Sequence, residues 1–147
     1  MAGKPQGARA RAKARRLALQ GLYQWQLSGT PAGELVAELN ASQNVKDVDA
    51  DYFEALLRGV IADSDALQAL FQPHLDRPAG QVDPIERGIL LIGSFELKER
   101  IDVPYRVVLN EAMELAKGFG AEDSHKYINA VLDKTSAGLR QAERAAR

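Results

Sequence analysis

The sequence predicts an all-helical fold of about seven helices, and three observations carry that reading. Apolar residues recur at three- and four-residue steps along most of the chain, the period that gathers them on one face of a helix. Strict two-residue alternation, the mark of a half-buried strand, is nowhere sustained. Proline, glycine and acidic residues punctuate the periodic stretches where helices start and stop. With 147 residues, 46% of them hydrophobic, the chain can bury a core as one domain or as two closely joined halves.

Ala14, Leu17, Ala18, Gly21, Leu22 and Trp25 line one stripe of a first helix, which leaves the neighbouring arginines mostly on its other faces. Ser28 to Pro31 interrupts that helix. Thr30 has the form of an N-cap, and Pro31 that of the first position, for a short helix carrying Leu35, Val36 and Leu39. Residues 40–48 read as a loop, after which Phe53, Leu56, Leu57, Val60 and Ile61 give the cleanest amphipathic period in the chain. Asp63 or Ser64 caps a further turn or two with Leu67, Leu70 and Phe71, limited by Pro73. Pro78 and Gly80 mark the junction between an N-terminal half, residues 8–77, and a C-terminal half, residues 82–136.

The second half opens on Asp83, Pro84 and Glu86: an N-cap, a proline at the first position and an acid at the third. Ile85, Ile89 to Ile92, Phe95 and Leu97 make this helix apolar on nearly every face, as a central spine should be. Asp102 and Pro104 open the next helix, which Gly118 and Gly120 are expected to close by adopting positive φ. A last helix begins at Asp123 or Ser124, buries Ile128, Val131 and Leu132, and is expected to fray beyond Lys134.

Charge is divided along the chain. The basic arm, residues 1–16, carries Lys4, Arg9, Arg11, Lys13, Arg15 and Arg16 and no acid. The totals are 19 basic and 20 acidic residues, so removing those six bases leaves 13 against 20, a body of net −7 behind an arm of net +6. Such a separation suits a polyanion at one end and repels it elsewhere. An acid-poor start rich in arginine and alanine also fits an organelle transit peptide, but the basic run passes without a cleavage-like break into an apolar pattern the fold needs. No cysteine is present and the longest strictly aliphatic run is Ile89 to Ile92, so disulfides, zinc thiolates and a membrane span are not expected. A cytoplasmic location follows.

Catalytic signatures are lacking. Asp123 sits where a third glycine would follow Gly118 and Gly120, so no phosphate-cradling loop forms. His74 and His125 are isolated from each other and from metal-binding spacings, and acid pairs such as Asp49 with Asp51 fall at helix starts, where negative charge is favoured without catalysis. The binding signals are stronger. Arg9, Arg16 and Tyr23 are seven apart with Gln20 between the last two, so one helix flank aligns guanidinium, amide and phenol groups as a track for an unpaired strand. A solvated flank with Tyr23 at the core edge explains the same spacing equally well. Ser124, His125, Lys126 and Tyr127 form a second cluster at a helix N-terminus, where exposed amides attract phosphate.

The run VPYRVVLNEAMELAKGFGAEDSHKYINAVLDK, Val103 to Lys134, resembles the signature region of the NusB family of bacterial transcription antitermination factors. Residues 15–26, RRLALQGLYQWQ, resemble that family's first helix, and Val45 to Asp49 with Tyr52 and Phe53 resemble its middle. The resemblance implies two packed, perpendicular helical bundles, no catalytic activity and no cofactor. It implies binding to single-stranded boxA RNA of nascent ribosomal RNA transcripts together with the small-subunit ribosomal protein NusE, and through them to other Nus factors and RNA polymerase. Carried onto this sequence, the RNA surface includes the arginine-rich start of helix one, Tyr23, Asp123, Ser124, Lys126 and Tyr127, and the NusE-facing surface includes Glu86. Tyr127 stands where phenylalanine is common in the family. Two other readings stand beside this one: an RNA-binding domain related to those of ribosomal RNA methyltransferases, and a helical adaptor that binds only protein. A homodimer formed through the first helix would mask the arm.

Overall fold

The computed structural model describes residues 4–42 and 45–146, and among them every regular element is helical. The first three residues of the basic arm, Gln43 and Asn44 of the 40–48 loop, and Arg147 lie outside the described residues. Eight α-helices follow in order among those described: α1 (Ala8–Ser28), α2 (Ala32–Asn40), α3 (Ala50–Ala62), α4 (Ser64–Phe71), α5 (Pro84–Glu99), α6 (Tyr105–Phe119), α7 (Ser124–Leu139) and α8 (Gln141–Ala145). The chain divides into two compact units, residues 1–62 and 63–147. Because α4 packs on α5 and α7, the division falls before α4 instead of at Pro78–Gly80.

In the first unit α1, α2 and α3 pack on one another. Ala10, Ala14, Leu17, Ala18 and Leu22 of α1 are buried at the expected helical spacing, while Trp25 is only half-buried. Phe53, Leu56, Leu57 and Val60 of α3 are fully buried, each contributing on the order of 2 kcal/mol through removal of apolar surface from water. Gly29 ends α1 in a left-handed conformation, φ 72°, with its N–H donating to Trp25 O at 2.8 Å. That turn draws Thr30 back onto Ser28, their hydroxyl oxygens 2.7 Å apart, so Thr30 does not cap α2; Pro31 occupies the N-cap position without a side-chain bond. At α3 the acid does cap: Asp49 Oδ1 accepts from Tyr52 N at 3.0 Å, while Asp49 N donates to Ala10 O at 3.2 Å and ties the helix start to α1.

The second unit is arranged round α5, which packs on α4, α6 and α7. Gly88 through Ser94 are all buried, the signature of a helix with neighbours on every side. Gly93 allows α7 its close approach, since a Cβ there would lie 2.6 Å from Leu132 Cδ1. Gly118 and Gly120 do not adopt positive φ. Helix α6 runs through Gly118 to Phe119, and Gly120 has φ −88°. What Gly120 supplies is space, because a Cβ would lie 2.3 Å from Ser124 Oγ and 2.9 Å from Ala116 O.

Helix α7 does not fray beyond Lys134. It continues to Leu139, and α8 follows, held by a buried guanidinium. Arg140, 2% exposed, donates to the carbonyls of Leu97 at 2.8 Å, Val103 at 2.9 Å, Arg100 at 3.0 Å and Glu96 at 3.1 Å, and pairs with Glu143. It thereby gathers carbonyls from the end of α5 and the turn that follows it. Glu143 in turn accepts from Tyr105 N at 2.8 Å, capping α6 from a distant part of the chain, while Asp102 holds Arg100. Arg144 completes the lock on Asp133 and Ser136 and lies 4.9 Å over the Tyr105 ring.

At the start of α5, Asp83 Oδ1 accepts from Glu86 N at 2.8 Å, as the capping box requires. The Glu86 side chain is buried. Burial first, and then its hydrogen bond to the Asp83 carboxyl, push the Glu86 carboxyl above the usual range, while Arg77 pulls in the other direction. A raised folded-state value means that Glu86 favours the folded form most below the ordinary glutamate value and that this contribution is lost as pH rises through the raised one. Glu86→Gln keeps a donor for Asp83 without the titration, so its melting temperature should gain on that of the parent as pH rises across the range above the ordinary glutamate value of about 4. A constant difference across that range would refute the assignment. Arg140→Ala should lower unfolding free energy by about 3 kcal/mol in urea titrations, with little recovery in Arg140→Lys, which lacks the guanidinium fork. An unchanged midpoint would show that the clamp contributes nothing.

Candidate nucleic-acid interface

The six cations of the arm have different surroundings, because successive residues of a helix point about 100° apart. Arg9, Arg16, Gln20 and Tyr23 fall within roughly 60° of one another and are all exposed, Tyr23 by 41%. Arg9 and Arg16 make no ion pair with any described residue. Lys13 belongs to the same flank but reaches Asp47 Oδ2 at 3.7 Å, and Lys4 reaches Asp51 Oδ2 at 3.7 Å. These are exposed pairs that a polyanion can replace at small cost.

Arg11 and Arg15 turn the other way. The Arg11 guanidinium lies 4.3 Å over the buried Tyr52 ring and pairs with Asp49 at 4.0 Å, and Arg15, 3% exposed, lies 5.5 Å from the same ring. Arg15 is therefore corrected from a candidate phosphate contact to a packing residue of the first unit. Its neighbours Leu19 and Leu22 are buried on the same side of the helix, so the buried band is wider than the apolar stripe suggests.

The second candidate cluster lies at the start of α7. Asp123 sits at the N-cap in the left-handed region, φ 65°, and makes no side-chain cap; its carboxylate instead lies 3.5 Å from Lys126 Nζ. Lys126 is exposed. Ser124 is not exposed. It is 6% exposed, packed under Gly120, and its buried hydroxyl has no hydrogen-bond partner among the described residues. Tyr127 is half-buried, with its hydroxyl enclosed near Asp76. One face of its ring is covered: the Arg77 guanidinium lies 4.4 Å over it.

Arg77 and Asp76 carry no signal in the sequence, because the linker between α4 and α5 holds no motif and reads only as a junction. Arg77 Nε donates to Asp76 Oδ1 at 2.7 Å, and that bond holds the Asp76 carboxyl below its ordinary range. Glu86, which the resemblance assigns to a partner protein, turns its carboxylate inward to Asp83 and offers little surface in this structure. His74 and His125 are separate and half-buried, and no group of three metal-ligating side chains occurs among the described residues. Also among those residues, no helix is long and apolar enough to cross a membrane.

Residues 12–137 match the NusB family. The transcription antitermination protein NusB of Paraburkholderia xenovorans is 55% identical over 134 residues, covering 91% of this chain and 93% of that protein. Its counterpart from Alcanivorax borkumensis is 52% identical over 138 residues, covering 94% of this chain and 92% of that one. Among solved structures, a chain from the crystal structure of antitermination factors NusB and NusE in complex with double-stranded RNA superposes with a TM-score of 0.81 at 26% identity. It covers 90% of this chain and 99% of that one. NusB of T. maritima superposes with a TM-score of 0.79 at 20% identity, covering 92% and 96%, and so shares the fold. With the match running from the basic helix into α7, and relatives aligned over more than nine-tenths of their length, the chain belongs to the NusB family.

Proposed function

We propose that this protein is a non-enzymatic, cytoplasmic transcription antitermination factor that binds boxA RNA of nascent ribosomal RNA transcripts together with NusE. Through that assembly it joins other Nus factors and RNA polymerase. The observation that carries the reading is the exposed flank of α1, where Arg9 and Arg16 stand without ion pairs beside Gln20 and Tyr23. Guanidinium groups neutralise phosphates, and an exposed phenol ring offers a face to an unpaired base. Lys126, with Asp123 beside it, forms the second patch at the start of α7. The RNA named with a structural relative is double-stranded, whereas an aromatic flank of this kind suits unpaired bases, so both forms belong in the binding test.

The methyltransferase-related reading has less support: the chain covers 93% of a relative named as an antitermination protein. A purely protein-binding adaptor leaves the unpaired arginines without a role. Homodimerisation through α1 would compete with RNA for the same flank.

Titration of a boxA-like single strand, its duplex and a scrambled control, each with and without NusE, tests the proposal. The boxA-like single strand should bind tightest, and tighter still with NusE. If about four phosphates are neutralised, log affinity falls against log salt with a slope near −3, and the double variant Arg9→Ala, Arg16→Ala should bring that slope to about −1.5. Arg15→Ala should lower the melting temperature instead and leave the slope alone. Equal affinity of the double variant and the parent would remove α1 from the interface. Asp123→Asn should strengthen binding by about two- to fivefold, because asparagine tolerates the left-handed backbone and removes a charge that repels phosphate and holds Lys126. Weaker binding in that variant would show that the acid makes a favourable contact with the RNA.

A further inference from the structure

The family resemblance treats Tyr127 as a ring available to RNA, yet the structure covers that ring. The Arg77 guanidinium carbon is 4.4 Å from the ring centroid, the separation of a stacked cation, and it occupies the space a base would need on that face. The guanidinium is also fixed. Arg77 Nε donates to Asp76 Oδ1 at 2.7 Å and a terminal nitrogen donates to Oδ2 at 3.4 Å, so two of its three nitrogens are held by one carboxylate. The third nitrogen makes no hydrogen bond with any described residue, and the side chain is 38% exposed. On the same turn as Tyr127, Lys126 is exposed with its ammonium at the helix start.

We propose that Arg77 is a further RNA-contacting residue: backed by Tyr127 and oriented by Asp76, its guanidinium is the surface on which an unpaired base stacks beside Lys126. Guanidinium planes serve as stacking platforms for splayed-out bases, and the free nitrogen adds a donor for a base edge or a phosphate. Tyr127 then acts as a positioning residue. Its ring supports the cation from beneath. Asp76 supplies the second constraint, its two carboxylate oxygens each accepting from an Arg77 nitrogen.

The inference rests on the RNA-binding reading, so its test includes a variant of the other patch. The full chain, alone and with NusE, is titrated with a boxA-like single strand and with copies of that strand made abasic at one nucleotide at a time. Arg77→Ala should weaken binding by about tenfold, and the loss should shrink on the strand whose missing base is the one that stacks. Arg77→Lys keeps the charge but not the plane. It should retain the parent salt slope and still bind about as weakly as Arg77→Ala. Parent-like affinity in Arg77→Ala overturns the proposal, as does full recovery in Arg77→Lys, which would make Arg77 a point charge. Tighter binding in Arg77→Ala also overturns it, showing that the bare Tyr127 ring is the seat and Arg77 its cover. If the Arg9→Ala, Arg16→Ala variant binds like the parent while Arg77→Ala weakens binding, the α1 reading fails and this one stands. Loss in the α1 variant with none in Arg77→Ala overturns this proposal and leaves the α1 reading intact.

Discussion

Helical rotation on α1 is the constraint from which the rest of the first unit and its candidate interface follow. A basic run that folds as a helix cannot present every cation to one ligand, since residues four apart share a face and residues two apart do not. Ala10, Ala14, Leu17, Ala18 and Leu22 must face α2 and α3, which fixes the azimuth of everything else. Arg11 and Arg15 are thereby turned onto Tyr52, where they become part of the packing. Arg9 and Arg16 are turned away from it. The alanines between them keep the helix regular without adding bulk to either face.

The acidic body is organised by the same economy of positions. Asp49 and Asp83 accept backbone N–H groups at the starts of α3 and α5, and Glu143 does so for α6 from the far end of the unit. Asp47 and Asp51 are engaged by Lys13 and Lys4. Part of the acidic surplus is thus held at helix starts, where partial positive charge offsets it.

Local signals were legible in the sequence. The period of Phe53, Leu56, Leu57 and Val60 marked α3, and Asp83-Pro84 with Glu86 located the start of α5 and its cap, because those interactions lie within four residues. The flank of Arg9, Arg16, Gln20 and Tyr23 was legible for the same reason. What escaped depends on contacts between distant segments. Arg140 reads as part of a frayed tail until Leu97 O, 43 residues earlier, is placed beside it. Arg15 looks like its neighbours until Tyr52 arrives from α3, and Arg77 is one arginine in a linker until α7 brings Tyr127 beneath it. Gly120 suggested a left-handed turn because that is glycine's commonest use after a helix, whereas here the fold needs its missing side chain.

The two candidate patches share a feature that neither charge nor spacing displayed alone. Helices α2, α3, α4, α5 and α8 each carry an acid in the first turn, and α6, which has none, is served by Glu143. Helices α1 and α7 also lack a first-turn acid, and neither receives a side-chain cap. Gly7 at the start of α1 has no side chain to offer, and at α7 the left-handed backbone of Asp123 carries its carboxylate away from the amides and toward Lys126. In both a cation lies within the first turn, Arg9 and Lys126. An external anion meets amides, dipole and side-chain charge together there. At α3, α5 and α6 a resident carboxylate already accepts a first-turn N–H, and a phosphate would have to displace it. The capped starts of α3, α5 and α6 therefore disfavour a polyanion as much as the amides and cations at the starts of α1 and α7 favour one.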